Sequence, residues 1–90
     1  MITYDLPNDN LIKFTDEGMV ISKDIEKYLL NGKLSFEGFT ILQLISLYKH
    51  VQNNAPTFYE LHTSSGGVKS KIKKELSKLI SDRFVVEVKI

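Results

Sequence analysis

The chain has 90 residues, 42% of them hydrophobic and 26% charged, with a net charge of +1 and no cysteine. That length holds one domain, 1–90, able to bury roughly 60 to 65% of its unfolded surface around a single core, and the composition is not that of a disordered tail. Absence of cysteine excludes disulfides, thiol nucleophiles and thiolate metal ligands.

Met1-Ile-Thr-Tyr-Asp5 lacks the basic and then apolar segments of a signal peptide. No apolar run reaches the roughly 18 to 20 residues that span a bilayer. A cytoplasmic protein without membrane contact is therefore expected. The small net charge hides an asymmetry: Met1 to His62 carries five lysines and eight acids, a net of −3, whereas Thr63 to Ile90 carries seven basic residues and three acids, a net of +4. Positive charge gathered in one third of the chain suits a polyanionic partner, although a solvated helix face has the same signature.

Ile2, Tyr4 and Leu6 alternate as in a short strand, and Pro7-Asn8-Asp9-Asn10 forms a turn. Leu11 to Phe14 and Met19 to Ile21 flank Asp16-Glu17-Gly18, which predicts a hairpin closed at Gly18. Ser22 or Asp24 caps a helix bearing Ile25, Tyr28 and Leu29, and Asn31-Gly32 ends it.

Ser35 is the expected N-cap of a longer helix reaching Gln52, with Leu34 and Phe39 at the positions of a hydrophobic staple; Thr40 and Gln43 offer a competing capping box. Apolar residues occupy nearly every side of that helix, so a central, buried position is expected. Asn53-Asn54-Ala55-Pro56 breaks it, and the capping-box pattern Thr57-x-x-Glu60 starts a short helix through Leu61. Ser64 to Gly67 reads as a bend.

From Val68 the apolar residues fall at Val68, Ile72, Leu76, Leu79 and Ile80, which predicts an amphipathic helix of about four turns. Successive residues 100° apart put Ser70, Lys73, Lys74, Ser77, Lys78 and Ser81 opposite that stripe, with Lys69 and Lys71 on its flanks. Phe84, Val86, Val88 and Ile90 then alternate with Val85, Glu87 and Lys89, the pattern of a half-buried strand.

Gly66-Gly67-Val68-Lys69-Ser70 looks superficially like the end of a phosphate-binding loop. That motif needs a glycine directly before the lysine, another five residues earlier and a strand leading in; here Val68 and Thr63 stand in those places and the preceding segment is helical. His50 and His62 lie in different helices with no partner at ligand spacing, so no metal or other cofactor is expected. Ser64 and Ser65 lack a nucleophile-elbow context and an identifiable base, and turn or capping work is their expected role. Dispersed Asp16, Glu17, Asp24 and Glu26 suit a turn and a helix start. The chain is not expected to be an enzyme.

A brace helix, a turn and a basic helix form the order of a helix-turn-helix, whose second helix enters the major groove. The Lys and Ser side chains of the last helix supply phosphate and short polar contacts, while the absence of Arg, Asn and Gln from it suits backbone-dominated binding.

The run "ELHTSSGGVKSKIKKELSKLISDRFVVE" resembles the winged helix-turn-helix superfamily in the spacing of Glu60-Leu61, Ile72, Leu76, Leu79 and Phe84-Val85. The upstream "VISKDIEKYLLNGKLSFEGFTILQLISLYKH" is similar to the lead-in of winged helices in small transcription regulators and in phage or plasmid replication proteins, with Leu34-Ser35 as the helix start. The resemblance implies an α+β fold of three to four helices and a small antiparallel sheet formed by the N-terminal hairpin and the C-terminal strand. It implies double-stranded DNA as partner, with Lys69, Ser70, Lys71, Lys73, Lys74 and Ser77 on the recognition helix and Lys78 and Arg83 on phosphates. Regulators of this size often dimerise, and the N-terminal strands are the expected contact. Two departures bear on it: Arg83 stands where the superfamily commonly has glycine before its wing strand, and no returning strand follows within these residues. A protein-interaction module of the same shape, binding a transcription or replication component, is the competing expectation.

Overall fold

Local sequence rules set most element boundaries in the computed structural model, which describes Met1 to Ile90 throughout. Strand β1 spans Ile2–Asp5, β2 Ile12–Thr15 and β3 Gly18–Ile21; helix α1 spans Lys23–Leu30, α2 Phe36–Gln52, α3 Phe58–Ser65 and α4 Lys69–Ser81; β4 spans Val86–Lys89. No helix is long and apolar enough to cross a membrane.

Caps decide where the helices begin. The Ser22 hydroxyl accepts from the Ile25 N–H at 3.3 Å, so Ser22 and not Asp24 starts α1. Ser35 accepts from the Gly38 N–H at 3.0 Å and starts α2, while the competing Thr40 donates to the Phe36 carbonyl within the first turns. Thr57 and Glu60 form the reciprocal capping box of α3. That helix runs past Leu61 to Ser65, so Ser64 and Ser65 are helical and the bend is confined to Gly66, Gly67 and Val68.

The sheet differs from expectation. The N-terminal hairpin, β2 with β3, forms one antiparallel pair, with Ile12 opposite Ile21 and Thr15 opposite Gly18. The C-terminal strand does not join it. It pairs with β1 instead, Ile2 opposite Lys89 and Asp5 opposite Val86, giving two separate two-stranded sheets. The other edge of β1 is occupied where the Tyr4 N–H donates to the Pro56 carbonyl at 2.9 Å. Pairing residues more than 80 positions apart is invisible to local pattern reading.

The expected half-buried face of the last strand is corrected as well. Phe84 and Val85, adjacent in sequence, are both in the core, and Val86–Lys89 is exposed throughout. The cause lies just upstream, where the Phe84 and Val85 N–H groups both donate to the Leu79 carbonyl, tucking that dipeptide under the end of α4 before β4 departs. Phe84 meets Tyr28 edge-on at 5.4 Å.

The core centres on α2. Ile41, Leu42 and Ile45 are completely enclosed, and Ile12, Ile25, Leu61, Leu76 and Leu79 close around them. Each such side chain contributes about 1.5 to 3 kcal/mol of burial. Yet α2 is not buried all round: Phe36, Leu47 and Val51 are exposed. A buried hydroxyl is satisfied too, since Ser46 donates to the Ile12 carbonyl at 3.0 Å and ties α2 to the hairpin.

One charge cluster holds the N-terminal segment down. The Lys49 ammonium lies 2.8 Å from Asp5 Oδ1 and 2.6 Å from Asp9 Oδ1. Burial pulls this ammonium down, but hydrogen bonds to Asp5 and Asp9 together with their charges outweigh it and hold the group above the usual lysine range. A raised folded value means that the stabilisation is complete below the ordinary lysine value and is lost as pH rises through the folded one. Lys49→Met is therefore expected to cost about 0.5 to 1 kcal/mol at neutral pH, measured by urea unfolding. The gap between the two proteins should hold steady to about pH 10 and shrink above it; a gap that persists unchanged at higher pH would show that the loss is one of packing and not of charge.

Candidate nucleic-acid interface

Helix α4 is positioned by its apolar stripe. Ile72, Leu76 and Leu79 are buried, while Val68, expected to be buried with them, is exposed as the N-cap residue. Its carbonyl accepts from Lys71 and Ile72, but no side chain caps this helix start. Close approach to α2 is possible because residue 38 is glycine: a Cβ there would lie 3.1 Å from a Leu34 methyl and 3.3 Å from a Leu79 methyl. The one acid of α4 is also turned toward α2, where Glu75 accepts from the Ser35 hydroxyl at 3.1 Å. Ser35 thus caps α2 and anchors α4 through one oxygen.

Everything opposite that stripe faces solvent. Lys69, Ser70, Lys71, Lys73, Lys74, Ser77, Lys78 and Arg83, the residues singled out from sequence, are all exposed. None of the five α4 lysines has a carboxylate within 4 Å; the ion pairs of the fold belong to Lys49 and His50. Five exposed ammonium groups on one short helix, with no carboxylate within 4 Å, give this part of the surface a positive local field.

The fold sorts these residues into groups. Ser70, Lys73, Lys74 and Ser77 line one wall of a cleft whose far wall is Tyr4, Phe58 and Glu87. Lys71 lies round the flank, in a separate depression with Glu37 and Glu75. Lys69 stands in the first turn of α4, Lys78 in the last, and Arg83 in the loop beyond. Sequence reading missed Tyr4, Phe58 and Glu87; Phe58 comes from the start of α3, while Tyr4 and Glu87 stand opposite one another where β1 and β4 pair. Burial foremost, and then the Glu87 carboxylate directly across the ribbon, push the Tyr4 phenol above its ordinary range.

The other candidates have local partners. The His62 ring stacks on Phe58 with centroids 6.3 Å apart, and His50 lies 3.8 Å from Asp16. The Ser64 hydroxyl is 2.6 Å from that of Tyr48. Ser65 donates to the His62 carbonyl and accepts from the Gly67 N–H, closing the end of α3.

Two left-handed residues bracket α4. Gly66 (φ 68°) ends α3, its N–H donating to the His62 carbonyl. Arg83 (φ 66°) turns the chain toward β4, in the place where the winged-helix pattern has glycine.

No protein-family model matches the chain, and neither a curated protein nor a solved structure shows significant similarity to it.

The two bracketing positions should respond to substitution with opposite signs. Gly66→Ala is expected to lose about 1 to 2 kcal/mol, because an added Cβ strains a left-handed residue. Arg83→Gly relieves that same strain, less the roughly 0.5 to 1 kcal/mol of extra chain entropy that glycine adds to the unfolded state, and should gain about 0.5 kcal/mol. Urea midpoints decide; destabilisation by Arg83→Gly would reveal a guanidinium contact stronger than the strain.

Proposed function

We propose that this chain is a winged helix-turn-helix DNA-binding domain that lays α4 against double-stranded DNA, as a small transcription regulator or a phage- or plasmid-type accessory factor. One observation carries the reading: the only acid of α4 is turned inward onto Ser35, so its outer face consists of lysines and serines with no internal partner. In this reading α3 is the brace, Gly66 to Val68 the turn and α4 the recognition helix. The β1–β4 ribbon takes the part of a wing, with β1 as the returning strand that the C-terminal segment lacks.

Lys73 and Lys74 would hold phosphates on the α4 wall of the cleft, since Glu87 on the far wall repels them. Lys69, Lys71, Lys78 and Arg83 extend the same field to either side. Ser70 and Ser77 are short enough to reach base edges without enforcing a sequence. Affinity would then come mainly from released counterions. No catalytic step is assigned to any side chain.

A second reading has its own support. Leu44, Leu47, Tyr48 and Val51 form a partly exposed apolar stripe along α2, at the spacing by which one helix face receives another chain. A domain that used this stripe alone would be a protein-interaction module.

Titrating a random-sequence duplex at several salt concentrations separates the two. Four to six phosphate contacts predict a slope of log affinity against log salt of roughly −4 to −5. Binding that ignores salt, or none at low salt, sinks the DNA reading. Lys73→Glu combined with Lys74→Glu should weaken duplex binding by at least about tenfold, on the order of 1.4 kcal/mol, with an unchanged circular dichroism spectrum and urea midpoint. In an NMR titration the affected amides should fall between Lys69 and Lys78.

A further inference from the structure

We propose that the free edge of β4 is a self-pairing surface, through which two copies of this chain join their ribbons into one four-stranded antiparallel sheet. This inference stands apart from the DNA reading and rests on backbone parity and charge register. Of the N-terminal strands expected from sequence to supply a dimer contact, β1 has β4 along one edge and donates its Tyr4 N–H to the Pro56 carbonyl on the other. No strand lies beyond β4.

The hydrogen-bond pattern identifies what that edge offers. The Ile90 N–H donates to the Met1 carbonyl at 2.9 Å, and the Met1 ammonium donates back to the Ile90 carbonyl at 3.3 Å. Alternation along an antiparallel ladder then aims the backbone groups of Val86 and Val88 at β1, leaving the N–H and C=O of Glu87 and Lys89 pointing outward. An unpaired row of this kind is a template for another strand.

Charge selects one register. Centring a two-fold axis on Glu87 or on Lys89 would set like charges directly opposite one another. Centring it on Val88 sets Glu87 of each copy against Lys89 of the other, in a pair joined by two backbone hydrogen bonds, so that the interface contains four such bonds and two ion pairs. The same operation brings Val88 against its own counterpart and Val86 against Ile90, in pairs whose side chains approach most closely. Val86 and Val88 are each 39% exposed and Ile90 is 81% exposed, so all three gain cover. Glu87 and Lys89 have no ion pair within the chain. Both are exposed and free to meet a second copy.

A contact limited to one strand edge gives weak association, readable by sedimentation equilibrium between about 10 µM and about 1 mM. The wild-type chain should dimerise in that range. Glu87→Lys leaves only lysines at the two facing positions, and Lys89→Glu leaves only glutamates; each variant should dimerise at least roughly tenfold more weakly. An equimolar mixture of the two restores opposite charges at every pair and should recover an affinity within about threefold of wild type. Circular dichroism and urea midpoints of the separate variants confirm that the monomer is intact. Wild type that stays monomeric throughout, single variants that dimerise as tightly as wild type, or a mixture no tighter than its components each overturns the proposal.

Discussion

The docking of α4 on α2 is the constraint on which the rest depends. Ile72, Leu76 and Leu79 must leave water together, and a helix can bury only one stripe, so the residues between them have no choice but to face out. Glycine at position 38 lets the two helices approach, and Glu75 fixes the rotation of α4 by reaching Ser35. An amphipathic pattern by itself leaves that rotation approximate. The hydrogen bond to a neighbouring cap pins it, and with it the direction of five ammonium groups.

The same economy explains why this face is electrostatically uncompensated. Asp5 and Asp9 are engaged by Lys49, Glu60 by the cap of α3, and Glu75 by Ser35. Each of these acids has local structural work, so none is available to neutralise α4. Across the cleft only Glu87 opposes the lysines, carried there on the ribbon. That carboxylate is also the group whose outward backbone belongs to the open sheet edge. The ribbon therefore borders the basic face on one side and presents an unpaired ladder on the other.

Much of this was legible beforehand. The hairpin around Asp16-Glu17, the caps at Ser35 and Thr57, the four helices and the outward set from Lys69 to Lys78 follow from turn chemistry and periodicity, which act over a few residues. Strand pairing was misread because distant residues decide it, and other misreadings arose at the ends of helices. Val68 fits the apolar period but stands at a helix start, above the core and not against it. Phe84 and Val85 alternate like strand residues, yet both are drawn inward by the Leu79 carbonyl. The helix ending at Ser65 outran Leu61 because Gly66, not the serines, supplies the left-handed stop. Arg83, marked as a departure from a glycine-bearing pattern, does occupy the conformation that glycine would favour.

The sequence by itself determined the inventory: which segments are helical, which few residues can cap them, and that one helix carries lysines opposite an apolar stripe. These are consequences of backbone preference and of side chains three or four residues apart. Only the tertiary structure decided that β4 pairs with β1 and not with the hairpin, that Tyr4, Phe58 and Glu87 share a cleft with Lys73 and Lys74, and that the exposed strand edge belongs to Glu87 and Lys89. Strand pairing across the length of the chain is set by which edges the packed core leaves open, and no local pattern encodes that.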